Sequence, residues 1–216
     1  MSVFQLPEAP VFPHPELAEP DGLLAVGGDL SPQRLLNAYA AGIFPWYSKG
    51  QPLLWWSPDP RLVLFPSEFK RHKNLRRLVQ SGKFQVTVNR DFAGVITACS
   101  QVERKGQEGT WITPEMQKAY RRLHEMGYAR SVECWMDDRL VGGLYGVVLG
   151  KVFFGESMFH TVTDASKVAL WYLVDDLLDQ GFALIDAQQD TPHMRSLGAR
   201  LISRKDFLQL LNENIS

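Results

Sequence analysis

Apolar and polar positions alternate in two recognisable periods, but only beyond about Leu64. Phe84, Val86 and Val88 alternate in FQVTVN, the period of a half-buried strand, and Asp91 is placed to cap the helical stretch FAGVITAC behind it. After the polar loop QVERKGQEG, Thr113 and Pro114 open a second helix; Met116, Ala119, Tyr120 and Leu123 share one face of it, and Gly127 ends it. That start puts Trp111 at a cleft or interdomain position. SVECWM, RLVGGLYGVVLG and KVFFGESMF read as successive antiparallel strands joined by the turns Asp137-Asp138 and Gly150-Lys151. Asp164 or Thr163 then caps a long helix, ASKVALWYLVDDLLDQ, stopped by Gly181, and ALIDAQ makes a further strand. The expected class is α+β.

The first third has a different texture, dense in proline, glycine and tryptophan. One helix stands out there: Ser31 and Pro32 form the cap and first turn, Leu35, Leu36 and Tyr39 one face, and Gly42 the stop. GIFPWYSKGQPLLWWSPDPR follows as loop and extended chain. The pattern divides the chain into a small N-terminal domain, residues 1–63, and a compact domain, residues 64–216.

Composition narrows the class. With 216 residues, 45% apolar and 22% charged, and no apolar run near the roughly 18 residues of a membrane span, the chain reads as a soluble globular protein without a membrane partner. MSVFQLPEAPVFPHPE lacks the basic start and apolar segment of a secretory signal, so a cytoplasmic location is expected. Cys99 and Cys134 form no CxxC pair and have no histidine at ligand spacing, so no metal site is expected and both read as buried thiols. A net charge of −1 gives no whole-molecule attraction for a polyanion, leaving any nucleic acid to a local patch. Lys70, Arg71, His72, Lys73, Arg76, Arg77 and Lys83 offer one; a solvated helix face explains them equally well. No exposed heptad or long apolar edge suggests an oligomer, so a monomer is expected.

Three constellations could carry chemistry. Tyr39, Trp46, Trp55, Trp56 and Trp111 lie in or beside irregular segments, where flat rings can stack on a base or form the core of a proline-rich domain. Glu156 and Met158 in GESMF are two apart, which on a regular strand sets a carboxylate beside apolar bulk on one face; burying that carboxylate would require a partner. Asp186 and Gln188 in LIDAQ would likewise share a face, where they could orient an amine or simply end a strand in solvent.

GLLAVGGDLSPQRLLNAYAAGIFPWYSKGQPLLWWSPDPR resembles the N-terminal signature of bacterial leucyl/phenylalanyl-tRNA–protein transferases. The resemblance continues in order through EGTWIT, AYRRLHEMGYARSVE, LVGGLYGV, FFGESMF, ASKVAL and LIDAQ. It implies a small N-terminal domain joined to an acyltransferase domain of the acetyl-CoA-dependent N-acetyltransferase (GNAT-like) type, with a mixed, mostly antiparallel sheet flanked by helices. It also implies the reaction: Leu or Phe, less readily Met, moves from Leu-tRNA or Phe-tRNA to proteins with N-terminal Arg or Lys, creating a destabilising N-terminus for N-degron proteolysis, with no cofactor. By the same resemblance, Tyr39, Trp46 and Trp111 contact the terminal adenosine of the tRNA, while Leu144, Met158, Leu173, Leu177 and Ile185 line the aminoacyl pocket. Leucine at 144, 173 and 177 departs from the methionine or phenylalanine frequent in the family. Tyr120 and Glu156 match the acceptor and reaction centre, and Asp186, oriented by Gln188, is the candidate proton relay for an acceptor amine of pKa near 8. Relatives extend beyond LNENIS with an aromatic and proline-containing tail. Two other classes compete. An acetyl-CoA-dependent acetyltransferase would need a pyrophosphate loop, and the nearest string, RSLGAR, has Arg200 where a small residue belongs; a non-catalytic tRNA-binding module would need only the basic segment and the aromatics.

Overall fold

The computed structural model describes residues 3–102 and 110–215, so most of the polar loop read at QVERKGQEG lies outside the described residues. The first part holds β1 (Phe4–Gln5), β2 (Leu23–Val26), α1 (Pro32–Ala40), β3 (Phe44–Pro45) and β4 (Leu54–Trp56), whose strands form a four-stranded sheet in the order β1-β2-β4-β3. Helix α1 begins as its sequence dictates: the Arg34 amide donates to Ser31 Oγ at 3.4 Å, and Pro32 fills a first-turn position where its missing N–H costs nothing.

The chain then enters a second sheet at β5 (Arg61–Leu64). It continues through α2 (Lys73–Gln80), β6 (Gln85–Val88), α3 (Phe92–Ser100), α4 (Pro114–Glu125), β7 (Ala129–Met136), β8 (Arg139–Leu149) and β9 (Val152–His160). The last elements are α5 (Ala165–Asp179), β10 (Leu184–Gln188), α6 (Pro192–Ser196), β11 (Arg200–Ile202) and α7 (Arg204–Asn214). The seven strands order as β11-β5-β10-β9-β8-β7-β6, antiparallel throughout except for β9 beside β10. The architecture is α+β with a mixed, mostly antiparallel sheet flanked by helices, in line with the sequence. Asp91 and Thr113 cap α3 and α4 as expected. Asp164 does not cap α5: it sits at φ 66° with no bond to a helix amide, and its carboxylate instead takes Lys167 Nζ at 2.6 Å.

Strand alternation splits the apolar residues between two cores. Tyr145, Val147 and Phe154 face α3, α4 and α7 and merge with Leu24, Tyr39 and Trp55 of the first part. Leu144, Phe153 and Ile185 face α5, with Leu75 of α2 and Met194 of α6. Cys99 and Cys134 are buried free thiols, and no helix among the described residues is long and apolar enough to cross a membrane.

The alternation slips once along β9. Tyr145 pairs with Ser157 and Gly146 with Gly155, leaving Glu156 as the extra residue of a β-bulge. Before the bulge Phe154 points to the first core; after it Met158, paired with Leu144, packs on the second, and Phe159 takes the first. The expectation that Glu156 and Met158 project from one regular face therefore fails at this slip. Gly146 permits the close approach: a Cβ there would lie 2.2 Å from the Phe154 carbonyl oxygen and 2.6 Å from the Phe153 ring. Gly146→Ala should lower stability by about 1–3 kcal/mol, read as a shift in the urea midpoint at unchanged slope.

Candidate active site

The parallel ladder between β9 and β10 is short, joining Val152–Phe154 to Leu184–Asp186. Past its end lies a cavity of about 450 Å³, walled by Gly155 to Met158 on one side and Ala187, Gln188 and Gln189 on the other. Strand β10 bulges here too, since Asp186 pairs with Val63 but Gln188 with Leu62, and Gln188 adopts φ 61°. Two bulges next to each other thus replace regular alternation with side chains aimed at a common centre.

Glu156 is the hub of that centre. Its Oε1 accepts Tyr39 Oη and Gln188 Nε2, each at 2.8 Å, and Tyr120 Oη lies 3.0 Å from Oε2; the two phenol oxygens also touch one another. Tyr39 comes from α1, Tyr120 from α4 and Gln188 from the β10 bulge, so three elements meet on one carboxyl. Burial pushes Glu156 up to about 7, helped by the nearby Asp186 charge and opposed by its three hydrogen bonds. Both phenols are raised well above their ordinary value, first by burial and then by the carboxyl they face.

Asp186 is placed differently from Glu156. It is wholly buried, takes Arg61 Nε on Oδ1 at 2.8 Å and Arg61 Nη2 on Oδ2 at 2.7 Å, and accepts the Gln188 amide at 2.9 Å. Arg61 lies between the rings of Phe44 and Phe207, 4.7 and 4.6 Å from their centroids, and donates to the Gly42 carbonyl at 3.2 Å. Asp186 does not line the cavity, because the β10 bulge turns Gln188 toward Glu156 while Asp186 stays on the Arg61 side.

The other sequence-derived residues divide in the same way. Trp46, Trp111, Leu144, Met158, Leu173 and Ile185 line the cavity together with Glu156 and Gln188. Tyr39, Tyr120 and Leu177 do not: all three are fully buried, the tyrosines behind Glu156 and Leu177 in the second core, so no face of Tyr39 is open to a base. Trp55 is likewise core, its indole N–H donating to the Gly27 carbonyl at 2.8 Å. Trp56 packs edge-on against Trp46 and donates to its carbonyl at 2.7 Å. Sequence reasoning missed Leu170, Thr191, His193 and Met194 on the far wall. Leu170 was visible only as one more apolar position of α5, and the other three lie on a short turn and helix with no periodic signal. Burial, then the charges of Lys167 and His160, hold His193 below its ordinary value.

The basic segment lies at and around α2. Lys70, His72, Lys73, Arg76, Arg77 and Lys83 are exposed, whereas Arg71 pairs with Asp175 and rests over the Trp171 ring. It does not contribute to the cavity wall.

Two consequences are measurable. Asp186→Ala strips the counter-charge from a buried guanidinium and should cost about 3–5 kcal/mol in urea unfolding, most of it regained when Arg61→Met is added. Glu156 has its carboxyl raised on folding, so the folded chain keeps a proton that the unfolded chain releases; stability should fall as pH rises from about 4.5 to about 7, by on the order of 3 kcal/mol, and level off above. In Glu156→Gln that part of the fall should vanish from the pH–stability curve.

Residues 63–212 match the family model described as leucyl/phenylalanyl-tRNA protein transferase, and residues 28–59 match the model of that family's N-terminal domain. The leucyl/phenylalanyl-tRNA–protein transferase of Syntrophobacter fumaroxidans is 60% identical, with the alignment covering 100% of this chain and 92% of the relative. That of Desulfatibacillum aliphaticivorans is 55% identical over the same shares of the two chains. Among solved structures, the crystal structure of FemX aligns with 83% of this chain and 70% of its own at a TM-score of 0.49 and 12% identity. By family-model match and by identity along its whole length, the chain belongs to the leucyl/phenylalanyl-tRNA–protein transferase family.

Proposed function

We propose that this chain is an aminoacyltransferase that moves Leu or Phe, and less readily Met, from aminoacyl-tRNA to the α-amine of proteins beginning with Arg or Lys. The product is a destabilising N-terminus that feeds N-degron proteolysis. One observation carries the assignment of the site. A single cavity joins an apolar wall of Leu144, Met158, Leu170, Leu173 and Ile185 to two tryptophans, Trp46 and Trp111, and to a polar pole of Glu156 and Gln188. Those are the three surfaces such a reaction needs. The apolar wall accepts the aminoacyl side chain, the indoles accept the terminal adenosine by stacking, and the polar pole receives the acceptor amine.

The residues outside the cavity act on it from behind. Leu177 backs the apolar wall, and Tyr39 and Tyr120 hold Glu156. Asp186, with both oxygens occupied, serves by fixing the Gln188 backbone rather than by relaying a proton. Since the aminoacyl ester is already activated, aligning a neutral amine with its carbonyl supplies most of the acceleration, and proton handling adds the remainder. An amine of pKa near 8 has a neutral fraction of roughly a tenth at pH 7, enough for attack without a strong base.

The exposed cations at and around α2 suit the phosphate backbone of the tRNA. We assign residues 1–63 to the small N-terminal domain and 64–216 to the acyltransferase domain, the enzyme acting as a cytoplasmic monomer where charged tRNA is available. The deciding experiment is transfer of radiolabelled Leu from Leu-tRNA to a peptide starting with Arg, beside one starting with an acidic residue. Label is expected on the Arg peptide alone; label on neither, with tRNA and protein intact, would sink the assignment.

A further inference from the structure

The contacts around Glu156 can be counted in hydrogens. Tyr39 Oη meets Oε1, Tyr120 Oη meets Oε2, and the phenol oxygens meet each other, closing a ring of three oxygen–oxygen contacts. Each contact holds when one hydrogen lies between its oxygens, and two phenols bring two. An ionised carboxylate brings none and leaves one pair of oxygens facing each other with lone pairs alone. A carboxylic acid brings the third, so that the acid and both phenols each donate once.

The surroundings favour the same state. Tyr39 and Tyr120 are at 0% exposure and Glu156 at 9%, so water reaches the carboxyl only from the cavity. The third partner, Gln188, is neutral; the charge that acts on Glu156 is that of Asp186, itself matched by Arg61, and the ring of Tyr145 in β8 packs edge-on against Tyr120. No cation hydrogen-bonds to Glu156 among the described residues.

Building on the aminoacyl-transfer reading, we propose that Tyr39 and Tyr120 hold Glu156 as a neutral acid, and that this acid is the proton shuttle between the attacking amine and the departing ribose oxygen. In the transfer, the amine nitrogen forms a bond to the ester carbonyl carbon and the bond from that carbon to the ribose oxygen breaks. The carboxyl proton goes to the ribose oxygen, and the proton shed by nitrogen returns to the carboxyl. The site ends in the protonation state in which it began, with no other reactant needed. Tyr39 and Tyr120 are positioning residues in this scheme. A shuttle of this kind works best when its acid strength lies near the working pH, and burial brings Glu156 to about 7.

The test is infrared difference spectroscopy of the wild-type protein across a pH titration, with Glu156→Gln assigning the band. A carbonyl stretch of a protonated carboxylic acid should be present at neutral pH, disappear as pH rises, and be absent in the variant. If Glu156 contributes only ionised-carboxylate bands at neutral pH, the proposal is wrong. Kinetics give a second decision, because glutamine still donates one hydrogen to the phenols but cannot pass it on. Turnover by Glu156→Gln should drop on the order of 10²-fold, with KM for Leu-tRNA and for the Arg peptide within about 2-fold of wild type. A raised peptide KM at unchanged kcat would make Glu156 an ionised binding group and overturn the shuttle. Should that variant not fold, Glu156→Asp, which keeps a carboxyl at the position, assigns the band by shifting its frequency, and a band left unshifted would overturn the proposal. Wild-type transfer to the Arg peptide is scored separately, so failure of the enzyme assignment is distinguishable from failure of the neutral acid.

Discussion

The Arg61–Asp186 pair is the contact on which the rest of the site hangs. Two charges exposed by 1% and 0% are stable together only when desolvation is offset by good geometry, and here both carboxylate oxygens are filled by one guanidinium fork. The same fork reaches the Gly42 carbonyl behind α1 and is sandwiched by Phe44 of the small sheet and Phe207 of α7. One side chain thereby fixes the first sheet, the last helix and β10 in a single arrangement. Asp186 passes that fixity to Gln188 through the amide bond it accepts, and Gln188 passes it to Glu156.

Sheet regularity is broken where the polar side chains converge. Perfect alternation would direct neighbouring side chains of β9 and β10 alternately into the two cores, leaving nothing to converge between the strands. The slip at Glu156 and the left-handed turn at Gln188 each rotate one polar side chain out of register, and both occur just past the end of the short parallel ladder. The opening left by the missing ladder becomes the cavity, and its apolar wall is simply the second core seen from the inside. Met158 illustrates the economy: the bulge that frees Glu156 also shifts Met158 onto Leu144, giving the pocket its floor.

Most of the fold was legible because long strands and capped helices write their period and their stops locally. Ser31, Asp91 and Thr113 cap where expected, and Asp137-Asp138 turns between β7 and β8. Arg61–Leu64 gives no signal of its own, because a four-residue strand buried on both faces carries no alternation. The site was half legible. Trp46, Trp111, Leu144, Met158, Glu156, Leu173, Ile185 and Gln188 were legible as a group, and all of them line one cavity. Orientation was not, since the faces assigned to Glu156, Asp186 and Gln188 assumed a regular strand, and a bulge depends on pairing partners far away in sequence. Arg61 escaped notice for the same reason: only the folded sheet brings it to Asp186.

Tyr39 carries the largest consequence of that shift in orientation. Read as a flat ring beside irregular chain, it suited a base; in the folded protein both faces are closed and its hydroxyl hydrogen-bonds to the carboxyl of Glu156. Because α1 delivers it, the N-terminal part supplies a hydrogen bond to Glu156 as well as the wall bearing Trp46. A carboxyl held between phenols from two different helices keeps its place only when both helices are seated. Docking of α1 against α4 and β9 is therefore a condition for the centre to exist, which explains physically why the two parts share one continuous core rather than meeting across a wet boundary.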